Sequence, residues 1–258
     1  RQAVIEKHTR RALGAHELIV VADGARSQLR DDTAIRKKVA RYPWGALWAV
    51  LPDPQHRFTE RLYQVVDGTR TLIGMLPTGL GPTGSVPHTS LFFSLPVEGV
   101  AAFRRGDFGL FAEALVRTAP AAEPLISQLH RTDELLFSEY ADIVMWPWNT
   151  ERLVYLGDAA HATSPQLGQG CNLALVDASV LARCIERSES VPDALFAYSR
   201  ERRAHLGWYQ FITRWLTPFF QSDFTVLGPL RDTLMAQSTR LPLVRRLMVA
   251  GMAVALLV

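Results

Sequence analysis

Apolar residues fall into two short runs typical of buried strands, a punctuated stretch between them, and helical repeats towards the C-terminus. Residues 18–22, Leu-Ile-Val-Val-Ala, form a β-branched run that stops at Asp23-Gly24. Residues 152–157, Arg-Leu-Val-Tyr-Leu-Gly, form a second run that stops at Asp158. Short apolar runs that end at turn residues are typical of strands buried in a core. The pattern therefore predicts two core strands, each followed by an aspartate.

The stretch between these strands has the pattern of an antiparallel sheet. Short apolar segments separated by proline and glycine are typical of strands joined by turns. They lie at residues 44–51, 61–67, 71–76 and 90–95. Apolar residues then recur at helical spacing over residues 108–116, and Asp107 is the predicted N-cap of that helix.

Two helical repeats follow the second strand. The first predicts an apolar face made of Ala174, Ala178, Leu181, Ala182 and Ile185. The second begins at Pro192, and its Arg200, Arg202 and Arg203 are expected on the solvated side. Residues 247–258 are an apolar run too short to span a bilayer, which takes about 20 residues. A helix packed in the core and an interfacial membrane anchor both fit this run.

The composition argues against two classes of binding partner, nucleic acids and metal ions. The 258 residues include 28 Lys plus Arg against 25 Asp plus Glu, a net charge of +3. No basic stripe or recognition module accompanies that charge, so nucleic acid is not an expected partner. The two cysteines, Cys171 and Cys184, have the spacing of neither a zinc site nor a disulfide framework, and no metal is expected. We expect a cytoplasmic protein, with peripheral membrane contact if the terminal run is an anchor.

Residues suited to ligand binding cluster after the second strand. Asp158 follows the C-terminal edge of a strand, where open α/β sheets bind ligands and a carboxylate can accept hydrogen bonds from sugar or ribityl hydroxyls. Gly168 and Gly170 allow left-handed dihedrals and a close backbone approach. A helix that begins near Asn172 would point free N–H groups and the positive end of its dipole into the cleft. That helix end would stabilise negative charge on a bound group.

Two segments resemble the motifs of one family, the FAD-dependent aromatic hydroxylases. These are flavoprotein monooxygenases that include para-hydroxybenzoate hydroxylase and the ubiquinone-biosynthesis hydroxylases. The second flavin-binding motif of the family is matched by Gly157, Asp158, Ala159, Ala160, His161, Pro165, Gly168, Gln169, Gly170 and Asn172, then by Asp177 and Ala178 in the helix. The other internal motif is matched by Asp23, Gly24, Ser27 and Arg30. The motifs occur in the family's order.

The resemblance implies a cofactor, a reaction and a set of contacts. FAD would be reduced by NAD(P)H, and O₂ as co-substrate would form a flavin hydroperoxide that hydroxylates a phenolic or other aromatic substrate. Asp158 would bind the ribityl chain. Residues 165–172, Cys171 included, would enclose the isoalloxazine, whose reduced form carries negative charge that the helix start suits. Asp23, Gly24, Ser27 and Arg30 would serve the pyrophosphate and the reductant. We assign no catalytic side chain, His161 included, because the chemistry would take place on the flavin.

The substrate pocket is less well marked. Four aromatic residues of the predicted sheet are candidates for its wall, and strand alternation leaves open whether they line a cavity or pack in the sheet core. They are Trp44, Trp48, Phe92 and Phe93.

The implied fold is α/β: part of a Rossmann-like FAD-binding domain with an inserted antiparallel substrate-domain sheet and C-terminal helices. We expect the FAD-binding domain at residues 1–33 and 136–190, the substrate domain at 34–135 and the helical region at 191–258. The sequence shows no counterpart of the family's N-terminal strand, Gly-x-Gly-x-x-Gly turn and helix, which hold the ADP half of FAD. Residues 79–84 match the turn by letter, but Pro82 lacks an N–H group and no helix follows, so a hairpin loop is predicted.

Three hypotheses about function stay open. The first is the monooxygenase. The second is a flavin-dependent reductase of lipid double bonds on the same fold, which the apolar C-terminal run suits. The third is a non-catalytic fragment or partner subunit that lacks the ADP-binding segment and cannot hold FAD by itself, so that the segment would act in trans; the missing Gly-rich turn motivates it. The substrate, the regiochemistry, the choice between NADH and NADPH, and the oligomeric state are not predicted.

Overall fold

The computed structural model describes residues 2–5, 11–82, 84–238, 241–243, 245, 246 and 249. Apart from Val249, the apolar run predicted to be a terminal helix or anchor lies outside these residues. None of the helices in the described part is long and apolar enough to cross a membrane. The chain divides into two compact units, unit 1 (residues 1–41, 141–215 and 238–258) and unit 2 (residues 42–140 and 216–237).

Strands and helices are numbered along the chain. The strands are β1 (Gln2–Ile5), β2 (Ala12–His16), β3 (Ile19–Val21), β4 (Lys37–Pro52), β5 (Tyr63–Asp67), β6 (Thr71–Leu80), β7 (Pro87–Pro96), β8 (Leu136–Met145) and β9 (Leu153–Tyr155). The α-helices are α1 (Gln28–Asp32), α2 (Val100–Arg105), α3 (Phe108–Thr118), α4 (Glu123–Ile126), α5 (Asp158–His161), α6 (Gly170–Arg187), α7 (Val191–Phe220) and α8 (Leu227–Ser238).

Unit 1 is built around the two predicted core strands. β3 and β9 pair in parallel, from Ile19 opposite Leu153 to Val21 opposite Tyr155. Val21, Val154 and Tyr155 are fully buried and form a core with residues of α6 and α7. The parallel pairing places the C-terminal ends of both strands at the same edge, and the prediction of two core strands is confirmed.

The helices of unit 1 correct two predictions. The buried face of α6 consists of Leu173, Asp177, Val180, Leu181 and Cys184. Of the predicted face, Ala178, Ala182 and Ile185 are exposed, so that prediction was wrong by about one position. Arg202 of α7 was expected at the surface, but it is only 2% exposed. Asp177 and Arg202 pair inside the core, and an apolar count cannot detect charged residues there.

Unit 2 contains the predicted antiparallel sheet. Its strand order is β5-β6-β7-β4-β8, and one face packs against α3 and α4 through a core that includes Leu47, Ile73 and Leu91. The predicted N-cap is confirmed, because the Asp107 carboxylate accepts a hydrogen bond of 3.2 Å from the Leu110 N–H. The hairpin predicted at residues 79–84 joins β6 to β7, although Thr83 is not among the described residues. The α/β class with an inserted antiparallel sheet is confirmed.

Candidate functional site

The two motifs of the sequence meet at one edge of the β3–β9 pair. The Leu156 N–H donates to the Val21 carbonyl oxygen at 2.9 Å, so the chain segments that leave both strands run side by side. Asp23 and Asp158 lie just beyond the strand ends and are exposed. Among the described residues, neither carboxylate has a hydrogen-bond or ion-pair partner. This edge therefore offers two carboxylates that can accept hydrogen bonds from a ligand.

In the first motif, the backbone makes a tight turn that buried side chains hold. Gly24 has a φ of +83°, which suits glycine, and it begins the turn after Asp23. The Ser27 hydroxyl accepts a 3.0 Å hydrogen bond from the Arg30 N–H and caps α1. Ser27 and Arg30 are both buried.

Arg30 connects the first motif to the second. Its Nη1 donates to the Ala25 carbonyl at 2.9 Å and to the Ala159 carbonyl at 3.5 Å. Its carboxylate partner is Asp31, at 3.0 Å, and not Asp23. The guanidinium is 2% exposed and connects α1 to α5 through these buried hydrogen bonds. The predicted role of Arg30 near a pyrophosphate stays a prediction.

The second motif forms a sharp turn from β9 into α5. Gly157 has a φ of +54° and a ψ of −139°, and α5 begins at the next residue, Asp158. A Cβ atom at position 157 would lie 2.9 Å from the Ala174 Cβ, so the turn packs closely against α6. A larger residue at Gly157 would separate the turn from the helix.

The loop that follows gives α6 an open N-terminus. Gly168 adopts a left-handed conformation with a φ of +62°, and a Cβ atom there would meet nothing within 4 Å. Gln169 is the N-cap residue of α6 and makes no side-chain capping bond. The first intrahelical bond is from the Leu173 N–H to the Gln169 carbonyl, and the three residues before Leu173 are exposed. The N–H groups of Gly170, Cys171 and Asn172 are thus available to a ligand.

Asp158 lies next to this helix start. A Cβ atom at Gly170 would be 3.7 Å from the Asp158 Oδ1. Pro165 and Cys171 are exposed, and Cys171 is a free thiol. Gln169 is buried, and its Oε1 accepts a 3.1 Å hydrogen bond from the Asn172 side chain. The exposed carboxylate, the left-handed glycine and the free N–H groups therefore share one small surface.

A buried ionic cluster lies beneath that surface, and sequence reasoning missed it. Asp177 is fully buried, and its Oδ2 accepts hydrogen bonds from the Gly157 N–H at 2.9 Å and from His161 Nε2 at 2.5 Å. Its Oδ1 accepts one from Arg202 Nε at 2.7 Å. Burial opposes ionisation, but the hydrogen bond from His161 and the charges of His161 and Arg202 hold the pKa of Asp177 below its ordinary value.

His205 completes the cluster. Its Nδ1 accepts a hydrogen bond from Arg202, which makes the imidazole neutral with its proton on Nε2. Burial, together with the positive charge of Arg202, lowers the pKa of His205 to about 4. Its Nε2 has no hydrogen-bond partner within the described residues. The sequence did carry a signal: Arg202 follows Tyr198 and precedes Leu206 at intervals of four, in register with the buried stripe of α7.

In unit 2, the four aromatic candidates do not share one face. Trp48 and Phe92 lie directly opposite each other on β4 and β7, and Trp48 Nε1 donates to the Ser138 hydroxyl at 2.9 Å. Trp44 is on the same face of β4, buried, with the Arg70 guanidinium 5.6 Å from its ring centroid. Phe93 points to the other face, where its ring centroid is 5.3 Å from that of Phe111 in the core.

Comparisons with known proteins identify the family. Residues 6–208 match the family model described as FAD binding domain. Kynurenine 3-monooxygenase of Salinispora tropica is 32% identical over 199 residues, which are 73% of this chain and 43% of that protein. Aurachin C monooxygenase/isomerase of Stigmatella aurantiaca is 26% identical over 196 residues, 72% of this chain and 47% of the relative. The chain spans about half the length of the curated relatives it matches.

Solved structures agree on the fold. The structure of Klebsiella pneumoniae HpxO complexed with FAD and uric acid has a TM-score of 0.70 and 21% sequence identity, covering 92% of this chain and 59% of HpxO. The sequence match extends over most of the chain and includes both motifs at the β3–β9 edge. The chain belongs to the family of FAD binding domains.

Proposed function

We propose that this chain forms part of an FAD-dependent monooxygenase that uses NAD(P)H and O₂ to hydroxylate a phenolic or other aromatic substrate. One observation carries the proposal: the exposed carboxylate of Asp158 lies beside the open N-terminus of α6. That helix begins two residues after the left-handed Gly168. Family membership and the monooxygenases among the relatives support it.

The residues present fit FAD. Asp158 has no partner in the described part of the chain, and a carboxylate at this position can accept hydrogen bonds from ribityl hydroxyls. The N–H groups of Gly170, Cys171 and Asn172 can donate to an electron-rich edge of the isoalloxazine, and the helix dipole favours negative charge there. The absence of a side chain at Gly168 leaves room for a flat ring to approach the backbone.

FAD, when bound, supplies the redox chemistry, accepting a hydride from NAD(P)H and reacting with O₂. The protein's part is to bind, to orient and to exclude water. In this proposal Asp158 holds the ribityl chain, and the start of α6 stabilises negative charge on the cofactor. Asp23 and Gly24 face the pyrophosphate and the reductant, while Ser27 and Arg30 fix the backbone behind them.

An aromatic substrate is supported from two directions. Kynurenine is named for one relative, and 2-aminobenzoylacetate is bound in the structure of P. aeruginosa PqsL, which has a similar fold with a TM-score of 0.68 and 22% sequence identity. Both compounds carry a substituted aromatic ring. In this chain, Trp48 and Phe92 lie opposite each other on the face of the unit 2 sheet away from its helix-packed core. Aromatic side chains stack favourably on aromatic ligands. We propose that Trp48 and Phe92, with Trp44 behind them, contact the substrate.

The test is an activity assay on the complete protein loaded with FAD. NAD(P)H oxidation and O₂ uptake are followed with a panel of phenols, aminobenzoates and kynurenine, and the product is examined for an oxygen atom derived from O₂. We expect at least one aromatic compound to stimulate both rates together and to acquire that oxygen.

The same assay separates the other two hypotheses. NAD(P)H oxidation that proceeds without O₂ and reduces a lipid double bond would support the flavin-dependent reductase. No FAD binding by the protein alone, with binding restored when an ADP-binding segment is added in trans, would support the non-catalytic fragment or partner subunit. We also propose a cytoplasmic location and peripheral membrane contact through residues 247–258. Sedimentation of the complete protein with lipid vesicles tests the membrane contact.

A further inference from the structure

We propose that Asp177 is a positioning residue for the cofactor site: it holds the segment that carries Asp158 at both of its ends. The inference rests on the proposed function, since it assigns a role in FAD binding. Asp177 lies on α6, and its side chain reaches the turn between β9 and α5. Nothing in its exposure, which is zero, allows it to touch a ligand itself.

One carboxylate oxygen holds the whole of α5. This helix has four residues and begins at Asp158. The Asp177 Oδ2 accepts from the N–H of Gly157, immediately before the helix, and from the imidazole of His161, its last residue. The position of the Asp158 carboxylate relative to the start of α6 is therefore set by hydrogen bonds to a residue of α6 itself. A short helix cannot fix its own position, because it has a single turn of internal hydrogen bonds.

The second oxygen connects this arrangement to α7. The Asp177 Oδ1 accepts from Arg202 Nε at 2.7 Å, and the other end of the guanidinium contacts the Leu173 carbonyl at 3.5 Å. A buried carboxylate is tolerated only when donors surround it, and here three donors do so. Removing the charge at Asp177 leaves Arg202 buried without its anion, which rearranges the cluster beneath the cofactor edge.

The experiment is a double-mutant cycle on FAD affinity in the complete protein. Asp177→Asn keeps the shape of the side chain but replaces one acceptor oxygen by an NH₂ group. Depending on the orientation of the amide, the variant loses either the hydrogen bond from Arg202 or the bonds from the Gly157 N–H and His161, and in both cases it loses the charge that pairs with Arg202. We expect FAD binding, followed by flavin fluorescence, to weaken about tenfold, the size of one net hydrogen bond. In an Asp158→Ala background, the same Asp177→Asn change should alter the dissociation constant less than about twofold, because its effect acts through Asp158.

Arg231→Met is the matched control. Arg231 is buried in unit 2 and donates to the Gly68 and Phe219 carbonyls, so this change also breaks a buried polar cluster. It should lower the melting temperature and leave the FAD dissociation constant unchanged. If Asp177→Asn does not fold, His161→Ala and His161→Gln replace it: the alanine variant should weaken FAD binding, and the glutamine variant, which retains a donor to Asp177, should restore it.

Two results would overturn the inference. One is Asp177→Asn or His161→Ala binding FAD as tightly as the wild type while melting earlier, as Arg231→Met does. The other is a full tenfold loss that persists without the Asp158 carboxylate. A wild-type protein that binds no FAD is a different outcome, because it refutes the proposed function first and the inference with it.

Discussion

Asp158 and Asp177 belong to the same short stretch of sequence, but their surroundings give them different roles. Asp158 is exposed and, among the described residues, has no partner, which leaves its oxygens free for a ligand. Asp177 is buried among three donors, and its pKa is lowered by the hydrogen bond and charges that outweigh burial. Asp158 can therefore bind a ligand, while Asp177 can only hold neighbouring protein groups in position.

Substitutions at Gly168 test whether the open space next to this glycine is where the isoalloxazine binds. Its φ of +62° makes any L-residue unfavourable, so Gly168→Ala should cost about 1 kcal/mol of stability. Gly168→Trp adds bulk in the volume assigned to the isoalloxazine and should weaken FAD binding well beyond the alanine variant. Flavin titration of both variants measures the difference. Equal affinities for Ala and Trp would show that the flavin does not lie over Gly168.

His205 predicts how stability depends on pH. Its pKa in the folded protein is about 4, below the ordinary value of 6.5. Between these two pH values the imidazole is protonated in the unfolded chain but not in the folded chain. Lowering the pH from 6.5 towards 4 should therefore destabilise the fold by up to about 1.4 kcal/mol per pH unit. The contribution of Asp177, whose pKa is also lowered, is lost only when the pH falls below the ordinary aspartate range.

Melting temperatures at pH 7, 6 and 5 check this prediction. His205→Gln removes the titrating group and should flatten the dependence on pH. His130→Gln, at an exposed position, is the control and should keep the wild-type slope. The buried, neutral state of His205 is refuted if all three proteins lose stability in parallel.

At the scale of single residues, sequence identified exposed groups at the β3–β9 edge but not the buried cluster beneath them, and the binding role of the exposed groups stays a prediction. Asp23, Asp158, Gly168 and Gly170 were identified because turn chemistry and motif spacing are local. Arg202 was misplaced because its burial depends on Asp177, a residue 25 positions away that pairs with it. A pairing of two charges inside a core leaves no trace in an apolar pattern.

At the scale of elements, a glycine-to-alanine substitution is expected to have opposite effects on stability in β4 and in α7. A Cβ atom at Gly45 of β4 would lie 2.4 Å from the Ser138 carbonyl oxygen, so Gly45→Ala should force β8 away from β4 and destabilise the protein by about 2 kcal/mol. At Gly207, inside α7, a Cβ atom meets nothing within 4 Å, and Gly207→Ala should stabilise by up to about 1 kcal/mol. Urea unfolding of both variants gives the signs. Destabilisation by Gly207→Ala, or none by Gly45→Ala, would contradict the packing described.

The elements differ in how readily sequence reveals them. The antiparallel strands and α3 were predicted, since short apolar segments between proline and glycine turns and a capped helical repeat are local signals. β8 was not predicted, because Glu139 and Asp142 interrupt its apolar pattern. Asp142 is held by Arg214 of α7 at 2.6 Å, and such a tertiary partner cannot be read from the strand's own sequence.

At the scale of the whole molecule, the two units have separate cores and separate proposed tasks. Unit 1 contains both flavin motifs at the edge of β3 and β9. Unit 2 contains the aromatic residues Trp48 and Phe92 on the face of its sheet away from the core. The domain boundaries stated from sequence stay a prediction, since they assign roles to segments.

This division predicts that substrate and cofactor affinities change independently. Trp48→Leu and Phe92→Leu should raise the KM for an aromatic substrate by up to about tenfold, the value of one lost aromatic contact, with the FAD dissociation constant unchanged. Phe93→Leu is the control, because Phe93 packs in the core and its loss should lower stability without a selective effect on KM. A pocket built by Trp48 and Phe92 is ruled out if KM stays constant in both variants.

The central claim is that the Asp158 carboxylate and the start of α6 bind FAD, and FAD titration of the complete protein tests it most directly. Asp158→Asn removes the charge with little change of shape, and Glu186→Gln removes an equivalent exposed charge at the far end of α6. We predict saturable FAD binding that Asp158→Asn weakens about tenfold, the range of a hydrogen bond to a charged group, and that Glu186→Gln leaves unchanged. Wild-type affinity in Asp158→Asn would contradict the account.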